Sequence, residues 1–143
     1  MDTIVVGVDN SAASTRAVDF AVDRAQRNSW KVVLAHVIPW TPYSFQTPSD
    51  NEHRHREKER EVQAAREQVL RPMSEIAERG SVPHDEVVRH GRPSDTLLDI
   101  AAEVGAVHII VGRTGESGIR EAVFGSVASR LAQTARIPVT VVP

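Results

Sequence analysis

Residues 3–38 read TIVVGVDNSAASTRAVDFAVDRAQRNSWKVVLAHVI, and this stretch contains the repeating unit that decides the fold. Its two ends, residues 3–9 and 31–38, are almost continuously apolar and rich in valine, which is typical of strands covered on both faces of a parallel sheet. Between them, the apolar side chains of residues 13–25 recur at helical spacing. Two parallel strands require such a crossover helix, so the stretch predicts a strand–helix–strand unit.

The same alternation continues along the rest of the chain. Further strand-like runs lie at residues 84–90, 107–112 and 138–142, and helical stripes precede them at residues 62–76, 97–104 and 127–135. This pattern predicts a single α/β domain over residues 1–143, with an open, five-stranded parallel sheet and helices on both faces. We expect the strand order 3-2-1-4-5. Ligands of such sheets bind beyond the carboxyl ends of the strands where the order reverses, which makes the loops after strands 1 and 4 the candidate site.

Two segments between the second and third strand-like runs depart from the pattern. Residues 39–49 hold three prolines and three aromatic residues, which excludes a regular helix or a central strand. Residues 50–61 contain no apolar residue and alternate in charge, which is typical of a solvated helix start or a frayed loop. Pro72 should kink or interrupt the helix around it, because it has no N–H for the helical ladder. Gly80 is the expected end of that helix.

The composition excludes several classes of protein. The chain has 17 basic and 19 acidic side chains and a net charge of −2, so it lacks the positive excess that draws proteins to nucleic acids and anionic membranes. It has no cysteine, which excludes disulfides, thiolate metal sites and cysteine nucleophiles. No stretch approaches the ~18 apolar residues of a membrane-spanning helix. We expect a cytoplasmic protein that binds neither nucleic acid nor membrane.

The fourth strand-like run leads into a glycine-rich loop, residues 112–118, and Gly125 and Ser126 follow before the next helical stripe. Glycine lets a backbone approach a ligand closely, and the N–H groups at a helix N-terminus attract anions, so this loop is suited to holding phosphate. The same glycines are also consistent with simple turn and cap residues. The loop contains neither GxxxxGK[ST] nor GxGxxG, which excludes the P-loop and the dinucleotide fingerprint.

The spacing of this loop carries a resemblance. Gly112, Gly115, Gly125 and Ser126 form the pattern G-x2-G-x9-G-S within VGRTGESGIREAVFGSVASRLAQTARIPVTVVP. Together with the opening IVVGVDNSAASTRAVDFA, this segment resembles the universal stress protein family over essentially the whole chain, and it is similar to the nucleotide-binding subgroup. The resemblance implies an adenine nucleotide alpha hydrolase-like fold and an ATP ligand, with or without Mg²⁺.

The resemblance also implies individual binding residues. The glycine-rich loop would wrap the triphosphate and ribose, with Val111 and Val127 beside it. Asp9 would lie near the adenine and ribose with Ser11 close by, and the backbone of Val37 would bind the adenine edge. The full implied set is Asp9, Ser11, Val37, Val111, Gly112, Gly115, Gly125, Ser126 and Val127.

Several polar candidates have a second interpretation. Arg113 and Arg120 are the only cations in the loop. Phosphate would therefore be held by backbone N–H groups, the helix dipole and one arginine. We include Arg113 in the candidate site as that arginine. Asp9 is also placed to act only as a helix cap. Ser11 or Ser14 should cap the first helix.

The histidines favour structural roles over chemistry. His36 and His108 lie inside strand-like runs, where a hydrogen-bonded structural imidazole is the usual finding. His53 and His55 are two residues apart and would not share a helix face, so we expect no metal site there.

Three functions stay open on the sequence. The first is an ATP-binding stress-response module that signals through unidentified protein partners. The second is a slow ATPase or autophosphorylating protein, although no catalytic triad can be assembled. The third is a nucleotide-free stress protein that acts through protein partners. A phosphotransfer receiver domain is excluded, because it needs an aspartate after strand 3 and a lysine after strand 5, where this chain has His90 and Pro143.

The last strand-like run predicts a homodimer. In the order 3-2-1-4-5 this short apolar strand is an edge with unpaired backbone groups. An antiparallel contact between two copies, through residues 139–142, would satisfy both edges, and members of the family resemble one another in pairing this strand.

Overall fold

The computed structural model describes residues 1–39, 48–115 and 125–143. The strands are β1 (Thr3–Gly7), β2 (Lys31–Pro39), β3 (His84–Gly91), β4 (His108–Gly112) and β5 (Val139–Val142). The helices are α1 (Ala12–Asn28), α2 (Pro48–Ala65), α3 (Arg71–Arg79), α4 (Pro93–Val104) and α5 (Ser126–Thr134), and a π-helical turn, Arg66–Leu70, joins α2 to α3.

The five strands form one sheet in the order β3-β2-β1-β4-β5, and all four pairs are parallel. The central strand β1 pairs on both sides, with Val5 opposite Val33 of β2 and Ile109 of β4. The predicted fold class and strand order are therefore confirmed. The order reverses between β1 and β4, as a doubly wound sheet requires for a switch point.

A hydrophobic layer covers each face of the sheet. Ile4 and Val6 of β1 face the layer formed with α1 and α3, whereas Val5 faces the layer formed with α4 and α5. All three side chains are completely buried, and full burial of a valine or isoleucine side chain contributes about 1.5–3 kcal/mol. Burial on both faces explains why the strand sequences are continuously apolar rather than alternating.

The edge strand β3 is half-buried along most of its length, and polar side chains join it to the helices. Arg89 donates two hydrogen bonds to the Glu103 carboxylate of α4, at 2.7 and 2.6 Å, and these bonds lower the pKa of Glu103. On the other face, the buried Ser74 of α3 donates to Glu86 Oε2 at 2.6 Å. The polar sequence of this run thus reflects its position at the edge.

The helix ends follow their local sequence. The Ser11 hydroxyl accepts from the backbone N–H of Ser14 at 3.1 Å and caps α1, so the cap is Ser11 rather than Ser14. Gly80 caps α3 as predicted, but with φ −84° it does so without the left-handed conformation that glycine usually supplies. Gly105 caps α4 with φ +64°.

Of the two alternatives for residues 50–61, the solvated helix start is confirmed and the frayed loop is wrong, because these residues belong to the continuous helix α2. This helix has no apolar stripe in that part, and it carries pairs one turn apart instead, as between His53 and Glu57 at 3.0 Å. Pro72 interrupts the α-helical pattern as predicted: the π-helical turn precedes it, and it occupies the first turn of α3, where no N–H is needed. The irregular segment predicted over residues 39–49 is wrong at its two ends, because Pro39 is the last residue of β2 and Pro48 begins α2, where a proline needs no N–H partner. Residues 40–47 lie outside the described residues.

Other element boundaries differ by one or two residues. β1 ends at Gly7 rather than at Asp9, and β4 begins at His108 rather than at Val107. Val104, predicted on the buried stripe of α4, is 38% exposed, because it is the last residue of the helix. In the part of the chain that the structure describes, none of the helices has the length and apolar character needed to cross a bilayer.

Candidate functional site

A cavity of about 260 Å³ lies at the carboxyl ends of β1, β2 and β4, at the switch point. Its walls come from five parts of the chain. They are Gly7, Val8, Asp9 and Ser14 from β1 and the start of α1, Ala35, His36, Val37 and Pro39 from β2, Pro93 and Leu97 from α4, Val111, Gly112, Thr114 and Gly115 from β4 and its loop, and Gly125, Ser126 and Val127 from the start of α5.

Eight of the ten candidate residues line this one cavity. They are Asp9, Val37, Val111, Gly112, Gly115, Gly125, Ser126 and Val127. The other two do not line it. Ser11 caps α1, and Arg113 directs its backbone N–H to the carbonyl of Val142 at 2.7 Å. Within the described residues, the Arg113 Nε atom is buried without a hydrogen-bond partner.

Gly112 is needed where β4 passes the start of α1. A Cβ atom on Gly112 would lie 2.8 Å from the Cβ of Ala13 and 2.9 Å from its backbone carbon. These two contacts leave no space for a side chain at residue 112, and the backbone of α1 cannot move away without disturbing the packing of the helix. The absence of a side chain at residue 112 therefore lets the loop after β4 begin directly against α1.

The two described ends of the glycine-rich loop meet at Gly125. Its N–H donates to the carbonyl of Arg113 at 2.7 Å, and a Cβ atom on Gly125 would lie 3.3 Å from that same oxygen and 3.5 Å from the nitrogen of Gly115. Gly125 is also the N-cap of α5. The first N–H groups of a helix have no partner within it, so the start of α5 presents donors at the cavity wall formed by Ser126 and Val127.

Asp9 connects the cavity to α1. Its Oδ1 atom accepts from the backbone N–H of Ser11 at 2.9 Å and from the Ser14 hydroxyl at 3.0 Å, and its own N–H donates to the Ser14 hydroxyl oxygen at 2.8 Å. The second oxygen, Oδ2, lies beside Gly115. Asp9 therefore organises the start of the helix with one oxygen while it lines the cavity, so the two interpretations of this residue do not exclude each other.

The histidines have hydrogen-bonded positions, as expected. His36 Nδ1 lies 2.7 Å from the carbonyl oxygen of Val8, and only a protonated Nδ1 can donate to that oxygen. His108 Nε2 lies 2.6 Å from the Thr140 hydroxyl, and burial lowers the pKa of His108. His36 nevertheless lines the cavity, whereas His108 does not.

Sequence reasoning missed several lining residues, among them Ser14, Thr114 and Leu97. The sequence indicates Ser14 only as a possible helix cap. Because α1 begins beside the end of β1, Ser14 lies close to Asp9 although five residues separate them. Leu97 belonged to the predicted stripe of α4, and no sequence signal separates a core position from one at the cavity wall.

The described part of the cavity wall has an unusual charge distribution. Among the lining residues, Asp9 carries the only carboxylate, and neither lysine nor arginine is present. No group of three histidine, aspartate or glutamate side chains within residues 1–39, 48–115 and 125–143 is arranged to hold a metal ion. Among the described lining residues, backbone N–H groups and the hydroxyls of Thr114 and Ser126 can donate hydrogen bonds to an anion.

The sequence model of the universal stress protein family matches residues 1–143. The chain belongs to this family. Among curated members, it is 29% identical over 143 residues to universal stress protein YxiE of Bacillus subtilis, and the match covers 97% of each chain.

Solved universal stress proteins with bound nucleotides are among the similar structures. The protein from Archaeoglobus fulgidus in complex with dAMP is 26% identical, with a TM-score of 0.73 over 100% of this chain and 98% of that one. Another universal stress protein, in complex with cAMP, is 28% identical, with a TM-score of 0.68 over 99% and 95% of the two chains. The universal stress protein fold described here is thus shared with proteins that bind adenine nucleotides.

Proposed function

We propose that this universal stress protein binds ATP in the cavity at the switch point and acts as a nucleotide-dependent stress-response module. The observation that carries the proposal is the placement of hydrogen-bond acceptors and donors on one cavity. Asp9 supplies the acceptor, and the N-terminus of α5 with Gly125 supplies backbone donors. A nucleotide has matching ends, because its hydroxyl and amino groups donate hydrogen bonds and its phosphates accept them.

Asp9 suits the nucleoside. An ionised carboxylate oxygen only accepts hydrogen bonds, so its partner in the ligand would be a ribose hydroxyl or the adenine amino group. The same cavity is lined by Val37, Leu97 and Val111, which are buried apolar residues. We propose that these side chains contact the adenine and that the backbone of Val37 binds its polar edge.

The glycine-rich part of the wall suits phosphate. It is formed by Gly112, Gly115, Gly125 and Ser126. A Cβ atom on Gly115 would lie 2.9 Å from Asp9 Oδ2, and one on Gly125 would lie 3.3 Å from the carbonyl oxygen of Arg113. Backbone N–H groups at such a helix start bind phosphate without a lysine. Because the described lining residues include no cation, we propose that Mg²⁺ accompanies the triphosphate and offsets its charge. Val127 would lie beside the phosphates, whereas Ser11 and Arg113 would act indirectly, through α1 and the loop backbone.

The relatives support an adenine nucleotide as the class of ligand. The two solved proteins with bound dAMP and cAMP are 26% and 28% identical to this chain, and both ligands contain adenine and a phosphate. The triphosphate, the use of Mg²⁺ and the signalling role are our proposals. We further propose that the protein is cytoplasmic, that it forms a homodimer through β5 and that it acts through other proteins.

Calorimetry with protein stripped of nucleotide tests the proposed function. ATP with Mg²⁺ should bind, AMP should bind more weakly, and adenosine should bind weakest, because each loses phosphate contacts to the α5 end. Mass spectrometry of gently purified protein should detect the bound adenine nucleotide. No binding of any adenine ligand would contradict the proposal and favour a nucleotide-free protein. Phosphate release above a control without protein would instead favour the slow ATPase.

A further inference from the structure

The Ser14 side chain makes two hydrogen bonds to a single residue. Its hydroxyl oxygen accepts from the backbone N–H of Asp9 at 2.8 Å, and its hydroxyl proton is donated to Asp9 Oδ1 at 3.0 Å. Ser14 is only 4% exposed and lies in the first turn of α1, which packs against the core. A rigid, buried group therefore holds both the backbone and the carboxylate of Asp9.

The two bonds to Oδ1 restrict where the second carboxylate oxygen lies. With Oδ1 held by Ser14 and by the N–H of Ser11, rotation of the carboxylate would break two hydrogen bonds at once. Oδ2 is thereby kept on the side of Gly115, which lines the cavity. We propose that Ser14 is a positioning residue for nucleotide binding, which orients the Asp9 carboxylate before the ligand arrives.

This inference rests on the proposed function and adds a residue to it. Preorganisation of this kind raises affinity because the ligand need not order the carboxylate itself. The Ser14 hydroxyl needs no contact with the ligand, so its whole effect on affinity should pass through Asp9. That dependence separates a positioning role from a general contribution of Ser14 to the stability of α1.

Ser14→Ala tests the inference, with Ser74→Ala as the matched control. Ser74 is also a buried helix serine whose hydroxyl donates to a carboxylate, Glu86 Oε2 at 2.6 Å, but it does not line the cavity. By calorimetry, Ser14→Ala should weaken binding of ATP with Mg²⁺ by about 3- to 10-fold, less than the loss in Asp9→Ala, because the carboxylate stays and only its orientation is released. Ser74→Ala should leave the affinity unchanged even where it lowers the Tm.

A double-mutant cycle supplies the decisive comparison. In an Asp9→Ala background, Ser14→Ala should cause a much smaller loss of affinity, because the carboxylate it positions is gone and only its bond to the backbone N–H of residue 9 remains. The same proportional loss in both backgrounds would overturn the inference, and so would native affinity in the Ser14→Ala single variant.

Ligand-free crystal structures of the native protein and of Ser14→Ala give a readout that needs no binding. The Asp9 carboxylate should have one orientation in the native protein and a different or divided one in Ser14→Ala. An unchanged single orientation would overturn the positioning role. If the native protein binds no nucleotide, the proposed function fails, and this measurement still decides whether Ser14 orients Asp9.

Discussion

The Oδ2 atom of Asp9 lies 2.9 Å from the point that a Cβ atom would occupy on Gly115. Asp9 follows β1, and Gly115 belongs to the loop after β4, so the parallel pairing of β1 with β4 brings the two residues together. Any side chain at residue 115 would displace the carboxylate. The glycine therefore keeps space for the acid as well as for a ligand.

Asp9→Ala should weaken the binding of ATP. Loss of one hydrogen bond to a charged group removes roughly 1.5–3 kcal/mol, or about 10- to 150-fold in affinity. The protein should still fold, although its Tm should fall, because Asp9 also accepts from the Ser11 N–H and the Ser14 hydroxyl. Calorimetry measures the affinity, and circular dichroism the Tm.

Asp95→Ala is the control for Asp9→Ala. Asp95 is an exposed acid in the first turn of α4 that does not line the cavity, so its loss weakens a helix start without changing the binding wall. Equal ATP affinity in the native and Asp9→Ala proteins would assign Asp9 to the helix start alone.

His108 should make stability depend on pH. Burial lowers its pKa from the ordinary value of 6.5, so between the two pKa values the unfolded chain binds more protons than the folded protein. Stability then rises with pH in that window. The contribution of His108 is complete above about pH 6.5 and is lost as the pH falls through the folded pKa. His108→Gln should therefore show a smaller decrease in Tm between pH 7 and pH 5.

The exposed His55 supplies a control for the exchange of histidine for glutamine. It lies on α2, where it pairs with Glu59 at 3.0 Å and its side chain is 74% exposed. A change in pH dependence that His55→Gln shares with His108→Gln would not be assigned to burial. An identical dependence in the native and His108→Gln proteins would show that burial of His108 has no effect on stability in this range.

Much of the fold could be predicted because burial leaves a local signature. The valine-rich runs of β1 and β2 predicted a parallel sheet covered on both faces, and the reversal of strand order then located the cavity before any contact was known. The exposed helix α2 left no such signature. Its first part carries exposed pairs such as His53 with Glu57, and alternating charge is typical of loops as well as of solvated helices.

The candidate site could be predicted only at positions where the backbone has no space for a side chain and the sequence therefore has glycine. Gly112 and Gly125 lie where a Cβ atom would meet backbone atoms, and their spacing carried the resemblance to the family. Ser14 has no such sequence signal, because its contact with Asp9 depends on where α1 begins relative to the end of β1. Arg113 was chosen for its charge, yet residue 113 contributes backbone hydrogen bonds to Val142 and Gly125.

Val141→Pro should disrupt the proposed homodimer. The carbonyl oxygens of Pro138 and Val142 accept from β4, and in a parallel pair the residues that bond to the neighbour alternate. The N–H of Val141 therefore points to the open edge of β5, and proline removes it without breaking the β4 ladder. Light scattering should report a monomer for Val141→Pro and a dimer for Val141→Ala, which keeps the N–H. A dimer in both variants would place the contact elsewhere.

Gly125→Val should abolish the stabilisation that ATP provides. A ligand at about 100 times its Kd that binds only the folded state adds roughly 2.7 kcal/mol, and each kcal/mol raises the Tm of a domain of this size by about 2–4 °C. The native protein should then melt on the order of 5–10 °C higher with ATP. A valine at residue 125 would crowd the Arg113 carbonyl and Gly115 nitrogen, which lie 3.3 and 3.5 Å from the Cβ position, and the cavity wall would change.

Gly105→Ala separates loss of binding from loss of stability. Gly105 has φ +64° and no neighbour within 4 Å of its Cβ position, so alanine there strains the backbone without reaching the cavity. Both glycine variants should have a lower Tm than the native protein, but only Gly125→Val should lose the increase with ATP. Adenosine should raise the native Tm much less than ATP, because it offers no phosphate to the start of α5. An increase with ATP of the same size in Gly125→Val as in Gly105→Ala would show that the phosphates do not bind against Gly125.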